Sequence, residues 1–236
     1  MKIAIIGYGK MGQVVEDVAQ KRGHEIVLRS SALEPFKPED LKNCDVAIEF
    51  TEPESAVANI LKCFEANVPV VVGTTGWYGR FNEVEQLCIQ GNHTLFHATN
   101  YSLGVNMLFA LNEKLAILMN DCEEYEPRIL EIHHTEKKDS PSGTAISLAE
   151  GIIYNLKRKK RWVNELSDEA DELAIISDRT AGVPGTHVIS YTSPDDELTL
   201  RHDARNRTGF ARGAVMAAEW VKEKKGVYTM RHLLNI

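Results

Sequence analysis

Titratable and cationic side chains crowd into the stretch Glu131–Ala145, which reads EIHHTEKKDSPSGTA. His133 and His134 are followed closely by Lys137, and side chains of these types can exchange protons near neutral pH. A hydrophobic core has no need of such a density of charge. The stretch therefore predicts a place where a substrate is protonated.

The Pro-Ser-Gly-Thr segment at the end of this stretch predicts the start of a helix. Ser142 suits the cap position, with Gly143 and Thr144 as the first helical residues before an apolar-periodic run. Backbone N–H groups at a helix start point outward and can hold an anion. Together the two features favour a site for an anionic substrate that must be protonated. The alternative is a charged surface loop in front of an ordinary capped helix.

A glycine motif near the N-terminus predicts a second binding function. The β-branched run Lys2–Gly7 leads into G-x-G-x-x-G, then into a helical pattern and a second strand over 24–28. This succession within about thirty residues is the context that a dinucleotide fingerprint requires. Gly7 would allow the tight turn, Gly9 would let the backbone approach a pyrophosphate, and Gly12 would let the helix pack on the strand.

An arginine stands where many dinucleotide-binding folds carry an acidic residue. The predicted second strand ends in Arg29-Ser30-Ser31 and lacks the carboxylate that usually binds the adenosine ribose. A guanidinium at this point can pair with a 2′-phosphate, so the sequence favours NADPH. The alternative is that Arg29 simply faces solvent.

The remaining patterns indicate two lobes. Strands predicted at 45–50, 69–73 and 94–98, with helices between them, complete an open parallel sheet of the doubly wound Rossmann type. The loops that follow, Gly73–Gly76 and Thr99–Asn106, lie where such sheets bind ligands. The polar residues of the second loop would line the nicotinamide or form a turn, and their position favours the nicotinamide.

Beyond Asn106 the pattern changes to one helix and a series of strands. Strands predicted over 173–177, 185–191 and 196–202 have no helices between them. They indicate a second α+β lobe on a mixed or antiparallel sheet. The basic run at 157–161 is interpreted as a solvated helix end.

Composition limits the kinds of partner. The 236 residues are 43% hydrophobic and 26% charged, as in a globular protein, and the net charge of −7 argues against nucleic acid. No apolar run approaches the ~20 residues of a membrane helix, and the N-terminal run is too short for a signal peptide. The four cysteines show no C-x-x-C pairing, which is typical of reduced thiols and not of a zinc site. We expect a soluble cytoplasmic protein with no nucleic-acid or membrane partner and no metal.

These motifs together resemble the 4-hydroxy-tetrahydrodipicolinate reductase family, also called dihydrodipicolinate reductase, of bacterial lysine and diaminopimelate synthesis. The resemblance spans nearly the whole chain, and the string His-His-x-x-Lys-x-Asp-x-Pro-Ser-Gly-Thr is its most specific part. The matching segments are Gly7–Gly12, Gly73–Gly76, Ala98–Asn106, Glu131–Ala145, Arg179–Gly182, Gly185–His187 and Asn206–Phe210.

The resemblance implies a homotetrameric oxidoreductase that uses NADPH and/or NADH to reduce a cyclic imine dicarboxylate. Residues 1–104 with 207–236 would bind the dinucleotide, and 105–206 would bind substrate and form the oligomer. The family's cofactor contacts match Gly7, Tyr8, Gly9, Lys10, Met11, Gly12, Gly73, Thr74, Thr75, Ala98, Thr99, Asn100 and Tyr101, and Arg29 matches a position associated with the 2′-phosphate.

The resemblance also assigns the chemistry. His133 and Lys137 match the family's proton-transfer pair, with Lys137 the favoured donor. The substrate contacts match His134, Gly143 and Thr144, although His134 could instead orient its neighbour.

Two other functions fit part of the pattern. A nucleotide-sensing regulatory protein would use the dinucleotide fold without catalysis, but it would not need the histidine and lysine cluster. Another two-lobe NAD(P)-dependent amino or imino acid dehydrogenase would not need the Pro-Ser-Gly-Thr loop beside that cluster.

Overall fold

The computed structural model describes all of residues 1–236. The chain forms two compact units, 1–103 with 207–236, and 104–206, and each is described by itself. In chain order the elements are β1 (Lys2–Ile6), α1 (Lys10–Lys21), β2 (Glu25–Ser30), β3 (Val46–Glu49), α2 (Pro53–Glu65), β4 (Val70–Val72), α3 (Phe81–Gln90), β5 (Thr94–His97), α4 (Leu103–Leu118), β6 (Glu126–His133), α5 (Gly143–Asn155), β7 (Arg161–Val163), β8 (Glu172–Arg179), β9 (Thr186–Thr192), β10 (Glu197–Asp203), α6 (Thr208–Val221), β11 (Gly226–Tyr228) and α7 (Met230–Leu234), with short 3-10 turns at Pro38–Leu41, Tyr78–Arg80 and Met119–Asp121.

The first unit contains a six-stranded parallel sheet in the order β2-β1-β3-β4-β5-β11. Strands β3 and β4 are buried along their whole length, which explains why all their residues are apolar except Glu49 at the end of β3. The strand order reverses between β1 and β3, and ligands bind at the carboxyl ends of strands at such a point. The prediction of a Rossmann-type doubly wound sheet is confirmed.

Helices cover both faces of this sheet. One core contains α1 and α6, where small residues let the helices approach closely (Ala211, Ala214, Ala217 and Ala218, all fully buried). The other core contains α2 and α3 with Phe36, Leu41 and Trp77. The last residues add β11 to the edge of the sheet beside β5.

The second unit is built on a five-stranded sheet in the order β10-β9-β6-β8-β7. Strands β10, β9 and β6 pair antiparallel, whereas β6, β8 and β7 pair parallel. Helices α4 and α5 contribute to the buried core of this unit with Ile129, Ile175 and Ile189. The prediction of a second α+β lobe on a mixed sheet is confirmed, although β7 was not predicted.

The basic run at 157–161 follows the end of α5 and is only partly solvated: Lys157, Lys160 and Arg161 are exposed, whereas Arg158 and Lys159 are tied into the fold. The Lys159 side chain is 1% exposed, and its ammonium donates to the Glu126 carboxylate and to the Ala170 carbonyl. Arg158 donates to the carbonyls of Met119 and Tyr125. The interpretation was therefore wrong for Arg158 and Lys159, because a sequence does not distinguish a buried cation that is satisfied by carbonyls and a carboxylate from an exposed one. The helices are all too short or too polar to cross a bilayer.

Candidate functional site

The turn after β1 has the geometry that the glycine fingerprint predicts. Gly7 has φ +95°, and a Cβ there would lie 2.0 Å from the Phe50 carbonyl oxygen. A Cβ on Gly12 would lie 2.4 Å from the Gly7 carbonyl oxygen, so only glycine lets α1 pack this closely on the turn. A Cβ on Gly9 would meet nothing within 4 Å, which leaves open space beside the backbone where a pyrophosphate would approach.

A buried carboxyl joins the loops after β3 and β4. Glu49 is completely buried at the end of β3, and its Oε1 accepts the Thr51 N–H at 3.2 Å and the Thr51 hydroxyl. Thr51 N–H also donates to the Thr74 hydroxyl at 2.7 Å. Burial raises the pKa of Glu49, although its hydrogen bonds act in the opposite direction. Sequence reasoning missed this residue, and the available signal was a lone carboxyl at the end of an apolar strand.

The loop after β5 is held by its own polar side chains. The Tyr101 side chain is 2% exposed and donates its hydroxyl to the Val72 carbonyl at 2.8 Å. Asn100 Oδ1 accepts the Ser102 N–H at 2.8 Å. Because the Tyr101 ring lies in the core, backbone atoms are what this residue can offer to a ligand.

Arg29 lies in β2 and is engaged by a neighbour. Its Nε donates to Glu16 Oε2 at 2.9 Å, and its Nη2 donates to Glu16 Oε1. The guanidinium also lies 5.8 Å from the centre of the Tyr8 ring. The side chain is 42% exposed, so Arg29 reaches solvent while it pairs with a fixed carboxylate.

The histidine stretch is positioned by the alternation of β6. Glu131 and His133 are two residues apart, and both side chains are therefore on the buried face of the strand. His133 Nδ1 lies 3.1 Å from Glu131 Oε2. The strand register places Glu131 opposite His187 of β9 and His133 opposite Arg179 of β8. Four titratable or cationic residues thus converge from three strands.

Glu131 links this cluster to the start of α5. Its Oε1 accepts the Ser142 N–H at 3.1 Å and lies 3.2 Å from Arg179 Nη2. The Ser142 hydroxyl accepts the Ala145 N–H at 3.2 Å, so the predicted cap is confirmed, with Gly143 as the first helical residue. A Cβ on Gly143 would meet nothing within 4 Å, so the helix start faces open space.

The surroundings of this cluster shift the pKa values of His187 and Glu131. Burial, together with the neighbouring His133, lowers the pKa of His187 to about 4, so His187 is neutral at pH 7. Its Nε2 lies 3.1 Å from the Ser142 hydroxyl. Burial acts to raise the pKa of Glu131, but contacts from His133 and Ser142 outweigh it and hold the pKa below its ordinary range. The cluster therefore contains a permanent buried anion.

Lys137 is held by a carboxylate of its own loop. Its Nζ donates to both oxygens of Asp139 at 2.8 Å, and its backbone N–H donates to the His134 carbonyl at 3.1 Å. The contact with Lys137 holds the pKa of Asp139 below its usual value. The Lys137 side chain is 22% exposed, so the ammonium is restrained but accessible.

Sequence reasoning assigned no role to Glu131, Arg179 or His187. All three lie in segments of the family resemblance, but only the strand register shows that they surround His133. Potential metal-ligand atoms of Glu131, His133 and His187 lie within 4.8 Å of one another. The Arg179 guanidinium beside Glu131 opposes a metal cation at this place.

Comparisons with known proteins agree with the family that the sequence resembles. The family model "Dihydrodipicolinate reductase, N-terminus" matches residues 33–101, and "Dihydrodipicolinate reductase, C-terminus" matches residues 104–234. A 4-hydroxy-tetrahydrodipicolinate reductase of Christiangramia forsetii is 44% identical over 100% of this chain and 98% of its own length. One of Alkaliphilus oremlandii is 32% identical over 100% of this chain and 99% of its own.

A solved structure of a dihydrodipicolinate reductase also matches the chain. The dipicolinate-bound dihydrodipicolinate reductase of Paenisporosarcina sp. TG-14 has a TM-score of 0.77 and 25% identity, and the match covers 97% of each chain. The resemblance found in the sequence is thereby confirmed. The chain belongs to the dihydrodipicolinate reductase family.

Proposed function

We propose that this chain reduces 4-hydroxy-tetrahydrodipicolinate to tetrahydrodipicolinate with NADPH or NADH, in lysine and diaminopimelate synthesis. The observation that carries the proposal is Glu131, whose carboxylate contacts both the buried His133 and the N–H that starts α5. One carboxylate thus positions both the proposed proton-transfer residue His133 and the helix start that would bind an anion. The names of the curated relatives supply the substrate.

The first unit would hold the cofactor. The open backbone at Gly9 and the start of α1 suit a pyrophosphate, because helix N–H groups bind anions. The loops after β4 and β5 lie at the carboxyl ends of parallel strands, where doubly wound sheets bind the rest of a dinucleotide. The reduced nicotinamide, when bound, supplies the hydride.

The second unit would hold the substrate and protonate it. The start of α5, with Gly143 and Thr144, and the side chain of His134 would grip the carboxylates of the cyclic imine. Loss of the substrate hydroxyl gives a conjugated imine. Reduction at ring C4 moves electron density toward the ring nitrogen and leaves an enamine. Protonation of the ring carbon next to C4, which is the β-carbon of that enamine, restores the C=N bond of the product.

Lys137 is the proposed donor of this proton. Asp139 restrains its ammonium without burying it, which keeps the proton available at a fixed place. His133 would stabilise charge on the substrate, since Glu131 can balance a positive imidazole.

A coupled assay tests this function. The product of dihydrodipicolinate synthase, freshly made, is added to the protein with NADPH or NADH, and loss of nicotinamide absorbance is followed. Oxidation that depends on both protein and substrate is expected, with inhibition by dipicolinate, the ligand of the Paenisporosarcina enzyme. Absence of substrate-dependent oxidation with either cofactor would overturn the proposal.

We also propose that the protein is a cytoplasmic homotetramer that associates through the second unit. Large apolar side chains are exposed there, including Met107, Leu111, Leu118 and Tyr154. All four cysteines are unpaired, as is usual in a reducing compartment. Light scattering on the purified chain tests the assembly, and a monomeric mass at micromolar concentration would contradict it.

A further inference from the structure

The side chains of Tyr8, Glu16 and Arg29 form a compact group, here called the Glu16 cluster. Glu16 lies on α1, Tyr8 in the turn after β1, and Arg29 near the carboxyl end of β2. Glu16 Oε2 accepts from the Tyr8 hydroxyl at 2.5 Å and from Arg29 Nε at 2.9 Å. Glu16 Oε1 accepts from Arg29 Nη2 and, at 2.8 Å, from Gln20. The carboxylate is thus held by four donors from three side chains.

The Glu16 cluster lies at the end of the second strand, where the adenosine ribose of a dinucleotide would bind. In a doubly wound sheet the end of the second strand meets the adenosine ribose, where a carboxylate favours NADH and an arginine favours NADPH. Here the strand end supplies only Arg29, and α1 supplies the carboxylate. The two charges that normally distinguish the cofactors are therefore present together, from different elements.

Glu16 is a permanent anion. Its side chain is only 12% exposed, and the hydrogen bonds from Arg29 lower its pKa to about 2. Glu16 accepts from Nε and Nη2 of the Arg29 guanidinium. The opposite edge, which contains Nη1, still has N–H donors for a phosphate. A 2′-phosphate at that edge would meet a neutral ion pair instead of an isolated cation.

We propose that Glu16 is a specificity-determining residue, whose carboxylate offsets Arg29 and restrains the preference for the 2′-phosphorylated cofactor. The inference rests on the proposed function, since it assumes that this end of the sheet holds the adenosine of NAD(P)H. Glu16 keeps Arg29 in place and at the same time repels a bound phosphate dianion. Both NADH and NADPH are then accepted.

Direct binding of the two cofactors tests the role of Glu16. Dissociation constants of NADPH and NADH are measured by nicotinamide fluorescence for the wild type and for Glu16→Gln. The variant keeps an acceptor for Arg29 and loses the charge. We expect NADPH to bind about tenfold more tightly, because one like charge is removed near a dianion. The NADH constant should stay within about twofold, since its ribose carries no phosphate.

Asp17→Asn is the matched control. Asp17 is the next residue of α1 and its side chain is 55% exposed, paired with Lys21 at 2.7 Å. The substitution changes the net charge by the same amount without touching Arg29, so the ratio of the two constants should not move. Raising the ionic strength should narrow the difference in the NADPH dissociation constant between the wild type and Glu16→Gln, because salt screens the repulsion between Glu16 and the 2′-phosphate. Arg29→Ala should weaken NADPH and leave NADH little changed.

The outcomes separate this inference from the proposed function. Suppose that the wild type binds both cofactors and reduces the substrate. The role of Glu16 is then overturned if Glu16→Gln leaves the ratio of the NADPH and NADH dissociation constants unchanged, or if it weakens NADPH binding relative to NADH binding. A folded Glu16→Gln protein, shown by an unchanged circular dichroism spectrum, makes that result decisive. If the wild type binds neither cofactor, the proposed function itself fails.

Discussion

Glu131 Oε2 lies 3.1 Å from His133 Nδ1, while Oε1 of the same carboxylate accepts the backbone N–H of Ser142 at 3.1 Å. One fully buried side chain thus fixes both an imidazole and the start of α5. Removing it would leave a buried N–H and an imidazole without their anion, and unpaired buried groups are costly. Glu131 is therefore expected to position the substrate site without touching substrate.

Glu131→Gln tests this role. An amide can still accept the Ser142 N–H but cannot balance a protonated His133, so kcat should fall by about one to two decades. Affinity for NADPH should be unaffected, since the proposed cofactor residues belong to the other unit. The exposed Glu136 provides the control, and kcat of Glu136→Gln should remain near that of the wild type.

Lys137→Ala should lower kcat by two or more decades, which is within the range for loss of a general acid, and leave NADPH binding intact. Lys138→Ala removes the same charge from the exposed neighbour and should have little effect. Asp139→Asn should reduce kcat by about tenfold, because the Lys137 ammonium loses the carboxylate that holds it in place. Near-normal turnover of Lys137→Ala in steady-state assays would refute the assignment.

Gly12→Ala and Gly9→Ala should separate folding from binding. The added methyl at Gly12 would lie 2.4 Å from a carbonyl oxygen, so the free energy of unfolding should fall by about 1–3 kcal/mol. At Gly9 the space is open and φ is −91°, so the methyl should change stability by less than about 0.5 kcal/mol. It should nevertheless weaken cofactor binding, because it occupies the approach to the pyrophosphate.

Urea unfolding followed by circular dichroism, with cofactor titration of each variant, distinguishes the two effects. Equal loss of stability in both variants would contradict the assigned roles of the glycines.

The stability of the first unit should depend on pH through His97. This ring packs at 4.8 Å from Phe81, and burial, aided by His232, lowers its pKa from 6.5 to about 4. Between these values the unfolded chain binds more protons than the folded one, so stability is lost as pH falls from about 6.5 to 4. Below that range both states are protonated and the loss is complete.

A shift of this size corresponds to about 3 kcal/mol over the window, or about 1.4 kcal/mol per pH unit. His97→Phe keeps an aromatic ring and removes the titrating group. Between pH 4 and 6.5, the slope of the unfolding free energy against pH should therefore decrease by about 1.4 kcal/mol per pH unit. The same sign applies to His93 of this unit, whose pKa is also lowered, so part of its acid sensitivity remains. An unchanged slope in His97→Phe would show that the ring does not contribute.

The predicted and observed folds agree where local patterns decide the structure. The apolar runs of β3 and β4, the cap at Ser142 and the turn at Gly7 depend on residues within a few positions of one another. Residue type and spacing carry such information directly. The short strand β7 was missed because three residues carry little periodicity, and burial of Lys159 was missed because its partners are remote in sequence.

By itself, the sequence determined the Rossmann-type sheet, the second mixed sheet, the family, and the stretch that contains His133 and Lys137. Only the tertiary structure decided which groups surround them. The pairing of Glu16 with Arg29 depends on how α1 packs against β2, and the convergence of Glu131, Arg179 and His187 depends on the register of β6 with β8 and β9. A shift of one residue in that register would turn these side chains to the opposite face, and sequence spacing alone does not specify the register.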